Sequence, residues 1–352
     1  MQLADEMIVI GEWRSERRAA AGKRSCRRCS WILSHAASTE RQVHEHAESD
    51  GKRTAAGNCG HQRLHAGICL QPAGQRHGME RHSTPNIQIR QKADKPGIDI
   101  IVAPGTIGEQ VHIPVILTDS GIHDLVYNDF YIGEGADVEI IAGCGIHNDG
   151  CDTSQHDGIH TFHIGRNARV VYTEKHYGEG NGEGERILNP TTNIYMEEGS
   201  FAQMDMSQIR GVDSTERKTY AKLGPKAKLV INEKLMTHGR QHALSDVSVD
   251  LDGEDSVLQI VSRSVGKDDS VQVFHPIARG NSKCRAHVQC DSILMGNAKI
   301  SSIPEIAANH VDAQVIHEAA IGKINSDQLI KLQTFGLSEE EAEQVIVDGF
   351  LK

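Results

Sequence analysis

Between residues 132 and 300 one short theme returns six times: Ile132-Gly-Glu-Gly-Ala136-Asp-Val138, Ile164-Gly-Arg-Asn-Ala168-Arg-Val170, Met196-Glu-Glu-Gly-Ser200-Phe201, Leu223-Gly-Pro-Lys-Ala227-Lys-Leu229, Leu251-Asp-Gly-Glu-Asp255-Ser-Val257 and Met295-Gly-Asn-Ala298-Lys-Ile300. Each reads as strand, tight polar turn, small residue, strand. The steps from 136 to 168, 200, 227 and 255 are 32, 32, 27 and 28 residues. Self-similarity at such a period means stacked units, none of which buries its apolar face alone. Helical repeats need amphipathic runs of about ten residues or more, and residues 85–300 offer none. They offer short alternating runs rich in β-branched residues, such as Ile87–Ile89, Ile98–Val102, Val111–Leu117, Leu125–Tyr127 and Val138–Ile141. A mainly β fold follows, a parallel β-helix whose corners take small residues and whose interior is filled by aliphatic columns. An aromatic content of 4% agrees with it. A β-sandwich of hairpins is the competing arrangement, but the recurring turns carry none of the Asn-Gly pairs that short hairpins prefer.

Charge divides the chain. Residues 1–82 carry 13 Lys+Arg against 9 Asp+Glu, and residues 83–352 carry 24 against 39. The first part uses 11 Arg to 2 Lys and has almost no β-branched apolar residue between Arg14 and His82. No period there could bury a face. Residues 1–83 are therefore expected to be a disordered extension or an aberrantly translated segment, 84–324 the β-helix and 325–352 a helical segment. Within the extension, Cys26-Arg-Arg-Cys29 is a lone pair with no second pair at zinc-ribbon spacing, and the arginines are too mixed with acids for a nucleic-acid arm. The net charge of −11 also argues against nucleic acid. No apolar run approaches the ~20 residues that cross a bilayer, and no signal-peptide core is seen, so a soluble cytoplasmic protein is expected.

The last residues turn helical. Asn325-Ser-Asp327 forms an N-cap region before Gln328–Gln333, Gly336 stops that helix, and Ser338-Glu-Glu-Glu341 is a capping box opening a second. In the second helix Ala342, Val345, Ile346 and Phe350 are expected on one face. Such helices can cover an exposed rung or present an apolar face to a partner.

Three constellations could carry chemistry. Cys144, His147, Cys151, His156, His160 and His163 put two thiols and four imidazoles within twenty residues, a soft-metal composition. Alternation places His160 and His163 on opposite faces, so not all can converge. Gln289-Cys290-Asp-Ser292 is followed one turn later by His317-Glu318-Ala-Ala320, which offers a sulfur and a harder, releasable ligand. The third, Gly178–Gly184, has alternating glycines but no Lys-Ser/Thr, and its acids would repel phosphate, so a flexible surface loop is expected.

At these residues the chain resembles a known family. Cys290-Asp-Ser-Ile-Leu, Ile303-Pro-Glu-Ile306, Ile316-His-Glu-Ala-Ala320, Gly322-Lys-Ile324, Asp327-Gln-Leu329, Gly336-Leu-Ser-Glu-Glu-Glu-Ala342 and Ile346-Val-Asp-Gly-Phe350 are similar in order and spacing to the C-terminal block of the SufB/SufD iron–sulfur cluster assembly proteins. Gly143-Cys144 with His156 and Asn167–Val170 resembles the core of that family, and the likeness covers roughly residues 84–352. The resemblance implies a right-handed parallel β-helix with a C-terminal helical piece. It further implies a scaffold on which a transient iron–sulfur cluster is built, with Cys290 accepting sulfur and Glu318 and His317 as ligands. Cys144 and His156 are further candidate ligands. The implied partners are a SufC-type ABC ATPase at the C-terminal helices, a second copy or a SufB/SufD-type subunit along the β-helix, a sulfur donor and apo iron–sulfur proteins. The chain itself has no Walker motif, so ATP hydrolysis is expected in the partner and not here. His317, if protonated, is expected to lower the Cys290 pKa. The geometry all this requires is Cys290 and Glu318 side by side where two copies meet. Two rivals remain: a SufD-like subunit that activates the ATPase without its own cluster, and a carbohydrate-active β-helix enzyme, which the 6 Tyr, 6 Phe and 2 Trp serve poorly.

Overall fold

The structure, a computed structural model, describes residues 65–68 and 81–352, which all belong to one unit of the chain, Arg63–Lys352. In chain order its strands begin with β1 (His65–Ile68), β2 (Arg81–His82), β3 (Ile87–Gln91), β4 (Gly97–Val102), β5 (Ile107–Leu117), β6 (His123–Ile132) and β7 (Asp137–His147). Next come β8 (Ser154–Ile164), β9 (Arg169–Glu179), β10 (Arg186–Leu188), β11 (Thr191–Met196), β12 (Phe201–Arg210), β13 (Ser214–Leu223) and β14 (Lys228–Thr237). The series closes with β15 (His242–Leu251), β16 (Ser256–Gly266), β17 (Val271–Gly280), β18 (Cys284–Leu294), β19 (Lys299–Ser302), β20 (Glu305–Ala308) and β21 (Gln314–Lys323). Two helices follow, α1 (Ser326–Thr334) and α2 (Glu339–Phe350).

The strands coil into a solenoid of about eight turns. One sheet stacks β2-β1-β5-β7-β9-β12-β14-β16-β18-β21 and the other β19-β17-β15-β13-β10-β8-β6-β4-β3. Every pairing is parallel except β1 with β2 and β3 with β4. Each strand thus pairs with the strand one turn away in sequence, as the repeat demanded. Two rungs are broken: β10 and β11 flank Pro190, and β19 and β20 flank Pro304, where proline has no N–H for the ladder. The first sheet also reaches upstream of the expected boundary at residue 84, because β1 pairs with β5 and β2 pairs with β1. The remainder of residues 1–83, Cys26 and Cys29 included, lies outside the described residues.

The recurring theme is a corner. Ala136, Ala168, Ser200, Ala227 and Ser256 each donate their N–H to the carbonyl three residues back, closing tight turns one above another. The third turn residue has positive φ, at Gly135 (66°), Asn167 (55°), Gly199 (69°), Lys226 (56°) and Asp255 (59°), the pattern of a type II turn, which accounts for Pro225 at the second position. The small residue buries at the bend because a larger side chain would meet the turn below. Two sequence assignments need correction. Ser256, not Asp255, fills the small-residue position. Met295–Ala298 belongs to the opposite corner, stacked on Lys267–Ser270 and His238–Gln241, where positive φ falls on the second turn residue instead (Gly239, Asp268, Gly296).

Alternation sends every second side chain inward. In α2, Ser338 forms the capping box with Glu341, Ala342 is buried, and Val347 and Leu351 pack with Val265 beside Met236, Ile293 and Met295. Val345, expected on the packed face, is 49% exposed, because the apolar stripe runs through Ile346 and Val347 instead. Lys234 Nζ donates to the Lys352 carbonyl (2.6 Å) and Arg263 Nη1 to that of Phe350 (3.4 Å), placing cations at the negative end of the helix. No residue of α1 is buried.

Candidate functional site

The register dictates what the coil brings together. On the first sheet Ala142, Glu174, Met206, Glu233, Ser262, Cys290 and Ala319 stack in one inward column, and Cys144, His176, Gln208, Leu235, Ser264, Ser292 and Ile321 in the next. From the second sheet His156, His160, Arg217 and Ser245 face them, all buried. A polar strip therefore runs inside the coil, with Cys144 towards one end and Cys290 towards the other.

At the Cys144 end, the Asp124 carboxylate lies 3.0 Å from His156 Nδ1. That leaves Nε2 free to serve the thiolate. Burial would raise the Cys144 pKa, but His156 and His176 beside the sulfur bring it down to about 7. His156 answers in the other direction: against the pull of burial, the Cys144 thiolate and Asp124 lift it to about 10. The shifts of both groups favour a buried thiolate–imidazolium pair at Cys144 and His156, with a carboxylate behind the imidazole, an arrangement that makes a nucleophile or a soft-metal ligand. His147, Cys151 and His163 of the same segment point elsewhere.

Beyond Cys144 lies a charged knot that the sequence did not disclose. Arg217 Nη1 donates to Glu174 (2.7 Å), Arg217 Nη2 to His176 Nδ1 (3.2 Å) and Tyr172 Oη to Glu174 (2.9 Å). His176 Nε2 lies 3.4 Å from Glu174. Burial opposes the Glu174 charge, yet His176 and Arg217 hold its carboxyl well below the ordinary value. Arg217 Nε lies 3.6 Å from Glu233, which accepts hydrogen bonds from Ser245 (2.8 Å) and Ser262 (3.2 Å). A small cavity beside this knot is lined by Met206, Gln208, Thr215, Arg217, Glu233 and Ser245. Buried polar atoms along the strip, His160 Nδ1, Thr192 Oγ1, Thr219 Oγ1 and Gln208 Oε1, have no partner among the described residues, so the strip suits a polar guest. The signal that could have found it was the period itself: Glu174, Glu233 and Arg217 sit at inward positions once the register is known.

At the other end, Cys290 is 3% exposed and its Sγ lies 3.4 Å from His317 Nε2 on the last strand of the sheet. Burial pushes this thiol above the ordinary value, with Ser302 pulling the other way. That corrects the expectation of a thiolate favoured by His317: without a settled charge opposite, desolvation wins. Glu318 points to the other face. It stands opposite Gln289 in the ladder, and its Oε1 lies 3.0 Å from His287 Nε2 on the outside of the coil. One chain therefore pairs Cys290 with His317 and sends Glu318 away from both. Among the described residues no group of three or more Cys, His, Asp or Glu converges to hold a metal.

Two other sequence features resolve differently. Gly178–Gly184 is a packed ledge, with Gly182 and Gly184 donating to the carbonyls of Asn148 (3.1 Å) and Gly150 (3.0 Å), so close that a Cβ would strike backbone. A surface groove lined by Tyr131, His163, Tyr195, Lys222, Asp252 and Glu254 holds neither thiol. Its rings stack on one another, Tyr131 to His163 at 5.0 Å and His163 to Tyr195 at 5.5 Å, so they turn edges rather than faces to a sugar. Among the described residues no helix is long and apolar enough to cross a membrane.

The sequence model of the SufBD core domain of the SUF system for iron–sulfur cluster assembly matches residues 126–350, the span that carries both thiols, the strip and the helices. The chain belongs to the SufBD family. Its relatives include iron–sulfur cluster assembly SufBD family proteins of Methanocaldococcus jannaschii, 27% identical over 68% of this chain and 76% of the relative, and of Archaeoglobus fulgidus, 28% identical over 70% and 66%. Another, from Pyrococcus horikoshii, is 26% identical over 77% of this chain and 82% of its own length. This SufBD protein is thus an iron–sulfur cluster assembly protein built as a β-solenoid, with two of its buried thiols, Cys144 and Cys290, on one interior strip.

Proposed function

We propose that this SufBD protein is a cytoplasmic scaffold subunit on which an iron–sulfur cluster is assembled before transfer to apo-proteins. The observation that carries the reading is the buried Cys290 thiol, 3.4 Å from the His317 imidazole, on the next-to-last strand of its sheet. His317 is placed to take the thiol proton, which burial otherwise retains, as sulfur is accepted. In such a step the outer sulfur of a donor persulfide bonds to the cysteine sulfur and the donor leaves as a thiolate. Cys144, the thiol brought down to about 7, is the better first acceptor, and His176, Arg217 and Ser262 along the strip offer N–H and O–H donors to a charged sulfur on its way to Cys290, with the Glu233 carboxylate opposing.

Cys290 and His317 are two donors, and a cluster needs more. The remainder is assigned to a second copy. Among the described residues β21 ends its sheet with one edge unpaired, and the exposed Ile316 and Ile321 on it and Ile303 and Ile306 before it make a surface suited to sheet continuation by another SufBD subunit. Glu318 would then reach a shared iron only from across that boundary. The exposed Ile330 and Phe335 of α1 offer an apolar contact to a SufC-type ATPase, whose motion would open the subunit boundary and release the cluster. A second reading, a SufD-like subunit that activates the ATPase without holding a cluster, draws on the same face alternation, since Cys290 and Glu318 do not converge within one chain. Anaerobic reconstitution with iron and sulfide, followed by visible absorption and iron and sulfide analysis, separates the two. The scaffold reading expects Cys290→Ala to lose the cluster while partner ATPase activation persists; a colourless wild type that still activates the ATPase would establish the second.

A further inference from the structure

Four imidazole–carboxylate pairs lie on the outside of the described coil: His123 with Asp157 (2.6 Å), His147 with Asp149 (3.0 Å), His275 with Asp246 (3.2 Å) and Glu305 (3.1 Å), and His287 with Glu318 (3.0 Å). Three of them are committed. Asp157 also accepts the Gln155 amide at 2.8 Å, Asp149 accepts the Asn181 N–H at 2.9 Å, and both nitrogens of His275 are engaged. His287 and Glu318 have no hydrogen-bond partner but each other among the described residues, and their side chains are 38% and 59% exposed. Gln289, opposite Glu318 in the ladder, and Asp291, which accepts the Gln289 amide at 2.7 Å, add oxygens on the same face. Two cis ligands of an octahedral ion with ~2.1 Å bonds stand about 3 Å apart, the separation already held between His287 Nε2 and Glu318 Oε1.

We infer that this outer face of β18 and β21 is a loading site for a single ferrous ion, held by His287 Nε2 and a Glu318 oxygen and open to water elsewhere. Imidazole and carboxylate suit a borderline cation such as Fe(II), and two protein donors bind weakly enough for release. The inference rests on the assembly reading and adds an order to it: iron docks on one face of the strand pair while sulfur is carried on the other, at Cys290. The two meet only when a second subunit or a shift of β21 exposes both.

The test is a titration of the full chain with Co(II), a spectroscopic stand-in for Fe(II), under anaerobic conditions without sulfide, read by visible d–d absorption. His287→Ala and Glu318→Ala should each weaken binding at least ~tenfold, while Cys290→Ala and the control His123→Ala bind as wild type does. The spectrum should lack thiolate-to-cobalt charge transfer. Unchanged binding in His287→Ala and Glu318→Ala, no binding by wild type, or a charge-transfer band that disappears in Cys290→Ala would each overturn the site. Because no cluster is formed, these outcomes are independent of whether Cys290→Ala loses reconstitution.

Discussion

Two inward columns stand one alternate residue apart on the same strands. Ile140, Tyr172, Met204, Ile231, Ile260 and Val288 fill one; Ala142, Glu174, Met206, Glu233, Ser262 and Cys290 fill the other. The first is an ordinary core, joined to the stacked rings of Phe130 and Phe162, 4.2 Å apart, and held by burial and dispersion. The second buries two carboxylates and, from the facing sheet, a guanidinium, at a desolvation cost that a packed apolar column would not carry. A coil seeking only stability would have continued the first column into the second. The polar half is better understood as a retained functional lining, and its cost should be measurable.

The largest effect is expected at Arg217. Replacing it with Met leaves Glu174 and Glu233 buried without their cation and should destabilise the fold by about 3–5 kcal/mol in denaturant unfolding. Adding Glu174→Gln should restore a good part of that. If Arg217→Met alone costs no more than a surface change, the knot is hydrated and the division between the halves is not as sharp as drawn.

His160 sits on the seam, 6.0 Å from the Phe130 ring and facing the strip. Burial first, and then His156, His176 and Arg217 nearby, hold it neutral down to about 4 against the ordinary imidazole value of 6.5, with Glu174 opposing. The unfolded chain protonates at the higher pH, so the contribution is complete above 6.5 and drains away as pH falls towards 4, about 3 kcal/mol in all. His160→Phe should flatten that part of the stability–pH curve. A slope as steep as wild type would place the acid sensitivity elsewhere.

The two thiols sharpen the contrast within the polar half. Thiolate ultraviolet absorbance should reveal one group titrating near pH 7, absent in Cys144→Ala, while Cys290 stays protonated past its ordinary range. His156→Gln should push the Cys144 midpoint back towards 9 or beyond, roughly a hundredfold loss of ionised fraction at neutral pH. Were both thiols to titrate together, the strip would be electrostatically uniform, and the preference for Cys144 as first sulfur acceptor would fail.

The solenoid was legible because its period is local: turn residues and alternation repeat every 27–32 residues and need no distant information. So were Cys290 and His317 as neighbours, one rung apart. The position of Glu318 was legible in part, since adjacent residues on a strand must face opposite ways, but the motif alone suggested convergence. The Glu174–Arg217–Glu233 knot was hidden because it joins two sheets across the interior. Residues 43 positions apart, Glu174 and Arg217, meet only when the length of every intervening turn is known, and β10 with its break at Pro190 alters that length. Charge in a repeat reads as solvated until the register decides which way it points.

The smallest effect tests the apolar column on its own terms. Ile260 is fully buried, stacked between Ile231 and Val288, two residues along its strand from Ser262, the neighbour of Cys290. Ile260→Val removes one methylene and should cost about 1 kcal/mol. It should leave the Cys144 titration and cluster reconstitution at Cys290 as in wild type, because the lost contacts are dispersive and none passes through a charged group. A shift in either would mean that packing in one half sets the geometry of the other, and the strip would then have to be treated as part of the core rather than as a lining beside it.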